Sequence, residues 1–207
     1  AMSEVDSGDT NYRDGKLYTY TKDRLGPRTD YTYYFDAKDI WSDVATGEPT
    51  SAKGGPGVTN RAPILSWTGE PPNYIADGLD PETGYSGTNF VYRVKYTDLD
   101  NDPPAQAYPK VHITKGGSEI DGSPFAMSEV DSGDTNYKDG KLYTYAKSRL
   151  APGTDYTYYF EAKDIWDGSA TGAPTSLVDA PDVMNIAPTL SWTGEPPNYI
   201  ADGLDPE

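Results

Sequence analysis

The chain has 207 residues, a net charge of −16, no cysteine and one histidine. The acidic charge disfavours nucleic acid and anionic membrane surfaces as partners. The lack of cysteine excludes disulfide scaffolds, thiolate zinc sites and cysteine nucleophiles, and a single histidine excludes multi-histidine metal sites. Apolar runs are only a few residues long, so the sequence contains no candidate membrane span. Its 18 tyrosines, 21 glycines and 18 prolines favour a folded, turn-rich β-protein.

Alternation of apolar and polar residues predicts several short strands separated by turn signals such as Asp77-Gly78, Gly116-Gly117 and Asp139-Gly140. No window has a helical period, so we expect an all-β fold, a β-sandwich. On the predicted strands, His112, Tyr143 and Tyr159 are expected to point outward. In chain order the candidate strands lie around residues 65–67, 90–96, 111–113, 142–145, 156–162 and 190–192.

The sequence repeats itself with a period of 125 residues. AMSEVDSGDTNY opens the chain at Ala1 and returns at Ala126, and 64 of the 82 positions that overlap at this offset are identical. This identity is far beyond chance and indicates duplication.

Differences between the copies cluster in residues 51–61 and 176–186, which are small, polar or rich in Gly and Pro, as linkers are. We therefore predict four segments. They are the C-terminal part of one β-sandwich repeat (1–55), a linker (56–61), a complete repeat (62–181), and a linker with the N-terminal strand region of the next repeat (182–207).

This register has two interpretations. The chain is a window of a longer tandem array, or it is a subunit that polymerises head-to-tail by donating residues 188–207 to the incomplete first unit of a neighbouring copy. In the second interpretation the first unit is completed only in part, because residues 188–207 do not replace the counterpart of residues 83–125.

The segment from Leu150 to Tyr156, followed by Thr-Tyr-Tyr-Phe-Glu-Ala-Lys-Asp164, resembles the E–F corner and F strand of fibronectin type III domains. Leu25 and Tyr31 stand at the same places in the first copy. The resemblance implies that Leu25 and Leu150 plug the core, and that Tyr31 and Tyr156 form tyrosine corners. The whole repeat looks like the fibronectin-III-like or Ig-like modules of large prokaryotic cell-surface and secreted proteins, archaeal or bacterial.

Asp98-Leu-Asp-Asn-Asp-Pro-Pro104 places three carboxylates and an amide directly after a predicted strand. Clustered carboxylates repel one another unless a cation neutralises them, and calcium prefers such oxygen ligands. The spacing is not that of an EF-hand, and it resembles the Asp/Asn-rich calcium turns of surface modules. We predict a calcium site with Asp98, Asp100, Asn101 and Asp102 as ligands, the alternative being a solvated acidic turn.

A second acidic group combines Asp77, Asp80 and Glu82 with Asp164 and Asp167. In a fibronectin-like sandwich we expect these two loops at the same end of the domain, near the linker, where they would form an interdomain cation site. The alternative is ordinary loop acidity.

Aromatic side chains form a third candidate site. Flat rows of aromatics stack on sugars, whereas core packing and cross-strand pairing use the same residues, and contacts between repeats are a third use. The candidates are Tyr33, Tyr143, Tyr159, Trp41 and Trp166.

Together these patterns predict a non-enzymatic, extracellular structural protein of tandem β-sandwiches: a surface stalk, surface-layer element or filament. Its expected partners are copies of itself or adjacent repeats, and surface glycans if the alternative holds, which is an adhesive or carbohydrate-binding module. A non-catalytic accessory domain of a secreted enzyme is a third interpretation. Calcium is the only cofactor indicated.

Overall fold

The computed structural model describes residues 1–192, and the part of the predicted next repeat at 193–207 lies outside the described residues. Sixteen strands confirm the all-β class, and the only helical segments in residues 1–192 are single 3-10 turns at Glu48–Thr50 and Ala173–Thr175. Within the same residues no helix is long and apolar enough to cross a bilayer. The strands are β1 Ser3–Glu4, β2 Tyr18–Thr19, β3 Thr32–Tyr33, β4 Lys53–Gly54, β5 Ile64–Ser66, β6 Leu79–Asp80, β7 Thr83–Tyr85, β8 Phe90–Thr97, β9 Lys110–Lys115, β10 Ser118–Glu119, β11 Phe125–Ala126, β12 Ser128–Glu129, β13 Lys141–Lys147, β14 Tyr156–Glu161, β15 Val178–Asp179 and β16 Asp182–Met184.

Two five-stranded antiparallel sheets form the complete unit. In the first sheet the order is β12-β13-β8-β5, with β6 also pairing with β8. The order in the second sheet is β10-β9-β14-β15, with β11 also pairing with β9. Strand β16 adds a short parallel pair with β7.

The core lies between these sheets and is dominated by aromatic rings. Burial alternates strictly along strand β8, so that one face enters the core and the other, which carries Val91, Arg93, Lys95 and Thr97, is only partly buried. Tyr92 of β8 meets Tyr158 of β14 edge to face, with ring centroids 5.2 Å apart. Such pairs stabilise beyond the area they bury. The fully buried side chains include Leu65, Leu79, Phe90, Tyr92, Val94, Tyr96, Val111, Ile113, Tyr158 and Phe160.

Two side chains expected on the outside are buried. Tyr143 lies opposite Val94 in the ladder between β13 and β8 and therefore faces the core with it. His112 is buried because the outer face of its sheet is covered locally: its ring stacks on Tyr159 at 4.2 Å, and its nitrogens contact Glu119 and Glu161. The strands that carry these two residues were located correctly, but the two orientations were wrong. The strand expected around residues 190–192 is also wrong, because these residues lie in no strand and Leu190 and Trp192 are exposed.

The complete unit ends later than position 181. Val183 lies in the core cluster, and its backbone exchanges two hydrogen bonds with Gly153, each 2.9 Å long. At the equivalent place in the first copy, the Val58 N–H donates to the Arg28 carbonyl at 2.9 Å. Placing residues 182–184 and 58 in linkers was therefore wrong, since each pairs with the unit before it.

Candidate metal centre at the junction between units

The first acidic loop begins where β8 ends. Asp98 Oδ1 accepts hydrogen bonds from the backbone N–H of Asp100 at 2.8 Å and of Asp102 at 3.1 Å. Asn101 has a positive φ of 64°, and its side-chain oxygen accepts a hydrogen bond from the Tyr137 N–H at 2.8 Å. Asx-type turns of this kind are what Asp and Asn favour, and here they gather three carboxylates on one loop. One oxygen from each of Asp98, Asp100 and Asp102 lies within 4.8 Å of the others.

A second loop, after β14, is held in the same way, by an aspartate that accepts hydrogen bonds from the backbone of its own loop. Asp164 is fully buried, and its Oδ1 accepts hydrogen bonds from the Trp166 N–H at 2.8 Å and the Gly168 N–H at 2.9 Å. The two loops are joined through their backbones, because Ile165 N–H donates to the Pro103 carbonyl at 3.2 Å. Four carboxylates therefore meet at one end of the sandwich.

The linker enters the unit at this same end. The Asn60 side-chain amide donates to Asp164 Oδ2 at 2.7 Å, and the Arg61 N–H donates to Asp100 Oδ2 at 2.8 Å. A Cβ at Gly168 would lie 2.6 Å from the Asn60 Nδ2 atom and 2.5 Å from Asp164 Oδ2. A side chain at this position would therefore displace the Asn60 or Asp164 side chain, and the first copy has Asp43 here.

The first copy also contacts this end of the complete unit. A Cβ at Gly26 would lie 2.7 Å from a ring carbon of Trp166, so the indole packs directly on the backbone of the Leu25 loop. The complete unit has Ala151 at the position of Gly26. Between the two copies lies a cavity bordered by residues of the corner loop, the linker and the acidic loop, among them Leu25, Asn60, Asp100, Asp102 and Trp166. Four cationic residues also line it: Lys22, Arg24, Arg61 and Lys138.

Charge at the junction is only partly compensated. Desolvation raises the pKa of Asp98, and the nearby carboxylates of Asp164 and Asp100 raise it further against the effect of its two backbone hydrogen bonds. Desolvation and the charge of Asp98 likewise raise the pKa of Asp102. Of the four junction carboxylates, Asp98, Asp100, Asp102 and Asp164, only Asp100 has an ion-pair partner in the described part of the chain, the Arg61 guanidinium at 3.9 Å.

Two oxygen atoms at this junction are buried without a hydrogen-bond partner in the described structure. One is Asp98 Oδ2, on a side chain with 0% exposure, and the other is the amide oxygen of Asn60. Buried polar atoms are normally hydrogen-bonded, and an unpaired one signals strain, a water or an ion. Asn60 was missed at the sequence level. The signal that could have found it is its identity with Asn185 inside a stretch in which most positions differ between the copies.

The second predicted cluster is divided by the fold. Asp80 pairs with Val91 near the start of β8, whereas Asp98 follows its end, so the two groups lie at opposite ends of the sandwich. The expectation that Asp77, Asp80 and Glu82 share a site with Asp164 and Asp167 is wrong, and Asp164 joins the Asp98 loop instead. Asp167 forms an exposed ion pair with Lys163 at 2.7 Å.

Glu82 has an unusual environment within its own group. Desolvation, followed by the charges of Asp77 and Asp80, raises the pKa of Glu82 to about 7. The Asp182 N–H donates to the Glu82 carbonyl at 2.9 Å, which places this group beside the strand that closes the unit.

The candidate aromatic residues do not form one platform. Tyr143 is in the core, Tyr159 stacks on His112 on the outer face of the second sheet, and Trp166 lies at the junction. Tyr33 and Trp41, 49% and 80% exposed, belong to the first copy.

Both corner tyrosines make the same hydrogen bond to their loops. The Tyr156 hydroxyl donates to the Ala151 carbonyl at 2.9 Å, and the Tyr31 hydroxyl donates to the Gly26 carbonyl at 2.9 Å. This hydroxyl-to-backbone contact is the geometry of a tyrosine corner. Leu150 is buried, whereas Leu25 is half-buried.

Comparison with known proteins adds no identification. No protein-family model matches the chain, and no curated protein matches it.

Proposed function

We propose that the chain is a segment of an extracellular structural protein, in which fibronectin-III-like or Ig-like β-sandwich units follow one another in tandem. The observation that carries the proposal is the contact between consecutive copies. The linker residue Asn60 bonds to Asp164, and the Leu25 loop packs on Trp166, so neighbouring units are joined by side chains as well as by the chain itself.

Several properties support a role in which the protein holds a shape. Near-identical units in series give reach and multivalency, which suit a stalk, surface layer or filament. A net charge of −16 without cysteine suits an extracellular, cation-rich setting and keeps units from associating side by side. The two acidic groups described above lie at opposite ends of the unit, so we propose no catalytic role. Because the candidate aromatics are dispersed, we do not adopt the glycan-binding alternative.

The length dependence of small-angle X-ray scattering tests this proposal. Chains lengthened by one, two and three further 125-residue units should grow in maximum dimension by a constant increment per unit. Flexible linkage would instead give growth that scales roughly as the square root of the number of units.

A junction variant provides the control. Gly168→Asp introduces the residue of the first copy and should displace Asn60, so its lengthened chain should scatter as a flexible string. Globular particles from the unmodified chain would contradict the structural role. Electron microscopy of the native material provides a second test: fibres or stalks with a regular axial repeat are expected, and isolated compact particles would overturn the proposal.

A further inference from the structure

The junction contains a set of oxygen atoms whose hydrogen-bond capacity is unevenly used. Asp98 Oδ1 accepts two backbone hydrogen bonds, while Oδ2 of the same fully buried carboxyl group accepts none. The Asn60 amide shows the same asymmetry, because its nitrogen donates to Asp164 and its oxygen is unpaired.

The free oxygens belong to residues that are already held in place. The Asp98 carboxyl is fixed by the turn that it caps, and Asn60 is fixed by Asp164, which in turn caps its own loop. Fixing these ligands in advance lowers the entropic cost of binding an ion. Asp100 and Asp102 supply two further carboxylates within 4.8 Å of Asp98, and both retain partial exposure through which an ion and its waters can enter.

Charge explains why this arrangement is costly without a ligand. Asp98 and Asp164 have no cationic partner among residues 1–192, and Arg61 pairs only with the outermost carboxylate, Asp100. A buried carboxylate without compensation is destabilising, and a divalent cation removes both the repulsion and the unpaired oxygens. All the candidate ligands are hard oxygens, with no histidine or thiol, which selects calcium over zinc.

We propose that Asp98, Asp100 and Asp102, together with the Asn60 side-chain oxygen, bind one Ca²⁺ ion at the junction between units. The remaining coordination positions are completed by water, as in many calcium sites of six to eight oxygens. The ion joins the linker to the acidic loop and so fixes the direction in which one unit follows another. This last consequence deepens the proposed function and rests on it, whereas the binding itself does not.

Terbium luminescence on the intact chain measures the binding. Tb³⁺ substitutes for Ca²⁺, and excitation of the nearby Trp166 indole should sensitise its emission. We expect a 1:1 titration that Ca²⁺ reverses, and a melting temperature that rises with Ca²⁺ and falls with chelator. Absence of sensitised emission, together with a melting temperature insensitive to both reagents, would overturn the site.

Variants separate a ligand role from a purely structural one. Asp98→Asn should weaken Ca²⁺ affinity by about tenfold or more, since calcium affinity follows the number of ligand charges. Asn60→Ala should weaken it less, and Asp167→Asn, on the same face but paired with Lys163, should leave it unchanged.

The metal-free stabilities give a further distinction. Without calcium, Asp98→Asn should melt at or above the temperature of the unmodified chain, because it removes a buried charge, and the order should reverse when calcium is added. A variant that melts higher by the same margin with and without calcium would show that Asp98 is not a ligand. The scattering experiment does not use calcium-site variants, so failure of the ion site and failure of the tandem role are distinguishable.

Discussion

Residues 1–55 and residues 126–180 are identical at 41 of 55 positions but differ greatly in burial. Tyr158 and Phe160 are fully buried in the complete unit, whereas their counterparts Tyr33 and Phe35 are 49% and 44% exposed. An open groove of about 780 Å³ lies over this face of the first copy. The stretch around these residues is identical in both copies, from Tyr31 to Phe35 and from Tyr156 to Phe160, so the difference in burial reflects what the rest of the complete unit contributes.

Pairings internal to the segment are the same in both copies. Strands β1 and β2 pair in the register of β12 with β13, and β3 pairs with β4 in the register of β14 with β15. Local hydrogen bonds recur as well. Lys16 and Lys141 each donate to an aspartate backbone oxygen, at 2.7 and 2.6 Å, and each pairs with a glutamate.

Residues 1–192 contain the segment 62–125 that completes the second copy, and they contain no equivalent segment paired with the first copy. In the complete unit β13 pairs with β8 over seven residues, and β14 pairs with β9 over six. Without these central strands, the counterparts of β13 and β14 shorten to two residues each. Turns and short pairings therefore follow from local sequence, whereas burial of the aromatic face depends on strands that are distant along the chain.

Completing the first unit should have the largest effect. A second copy of residues 62–125 fused before Ala1 recreates the native connection between Phe125 and Ala126. We expect the amides of residues 32–35 to gain about a thousandfold or more in hydrogen-exchange protection, because they then exchange only through unfolding of a packed unit. A fused segment of the same composition in scrambled order serves as the control. Equal protection with both fusions would contradict the argument.

A matched pair of phenylalanine substitutions tests the same difference in energy. Phe160→Ala should lower the free energy of unfolding of the complete unit by about 3–5 kcal/mol, through lost burial and the cavity left behind. Phe35→Ala, in an almost identical local sequence, should change it by less than about 1 kcal/mol. Urea denaturation followed by tryptophan fluorescence measures both, and equal losses would show that the first copy is packed in solution.

Much of the fold could be predicted from sequence because the signal is local. Alternation located β8 and β14, and the period of 125 residues identified the copies. The side-chain orientations of Tyr143 and His112 were predicted wrongly, because they depend on Val94 and Glu161, which lie on other strands. The unit boundary failed at Val183 because its partner, Gly153, is 30 residues earlier and carries no pattern that reveals the pairing.

The candidate site was predictable only in part for a related reason. The carboxylates of one loop are adjacent in sequence, so Asp98, Asp100 and Asp102 could be grouped. Asp164 could be assigned to them only by knowing which ends of β8 and β14 lie together. From the sequence, Asp164 was instead grouped with Asp77, Asp80 and Glu82, which lie at the opposite end of the sandwich. Asn60 joins through a contact across 104 residues, which no local pattern encodes.

The tyrosine corner separates local geometry from its energetic effect. Tyr31 and Tyr156 make the same 2.9 Å hydrogen bond, but only Tyr156 is buried. Tyr156→Phe should destabilise the complete unit by about 1 kcal/mol, the usual net value of one hydrogen bond. Tyr31→Phe should leave its urea midpoint unchanged. A midpoint shift of similar size for both would mean that the two copies unfold together.

The smallest effect we predict depends on pH and has no counterpart in the first copy. The pKa of Glu82 is raised to about 7 by desolvation and by Asp77 and Asp80. Because the folded state holds this proton more tightly than the unfolded chain, stability should fall as pH rises from about 4.5 to about 7 and then level off. Glu82→Gln should remove that loss, so the variant should exceed the unmodified chain above pH 7 and match it below pH 4.5.

The gain should be about 1 kcal/mol or less, because solvent screens a partly exposed carboxyl group. Urea unfolding at pH 4 and pH 8 measures it. Asp77→Asn is the matched control. The Leu79 N–H donates to Asp77 Oδ1 at 3.0 Å, and asparagine keeps an oxygen for this hydrogen bond while it removes the negative charge. It should reduce the pH dependence without abolishing it, because desolvation and Asp80 remain. If the stability of Glu82→Gln still fell between pH 4.5 and pH 7, the pH dependence would belong to other groups and not to Glu82.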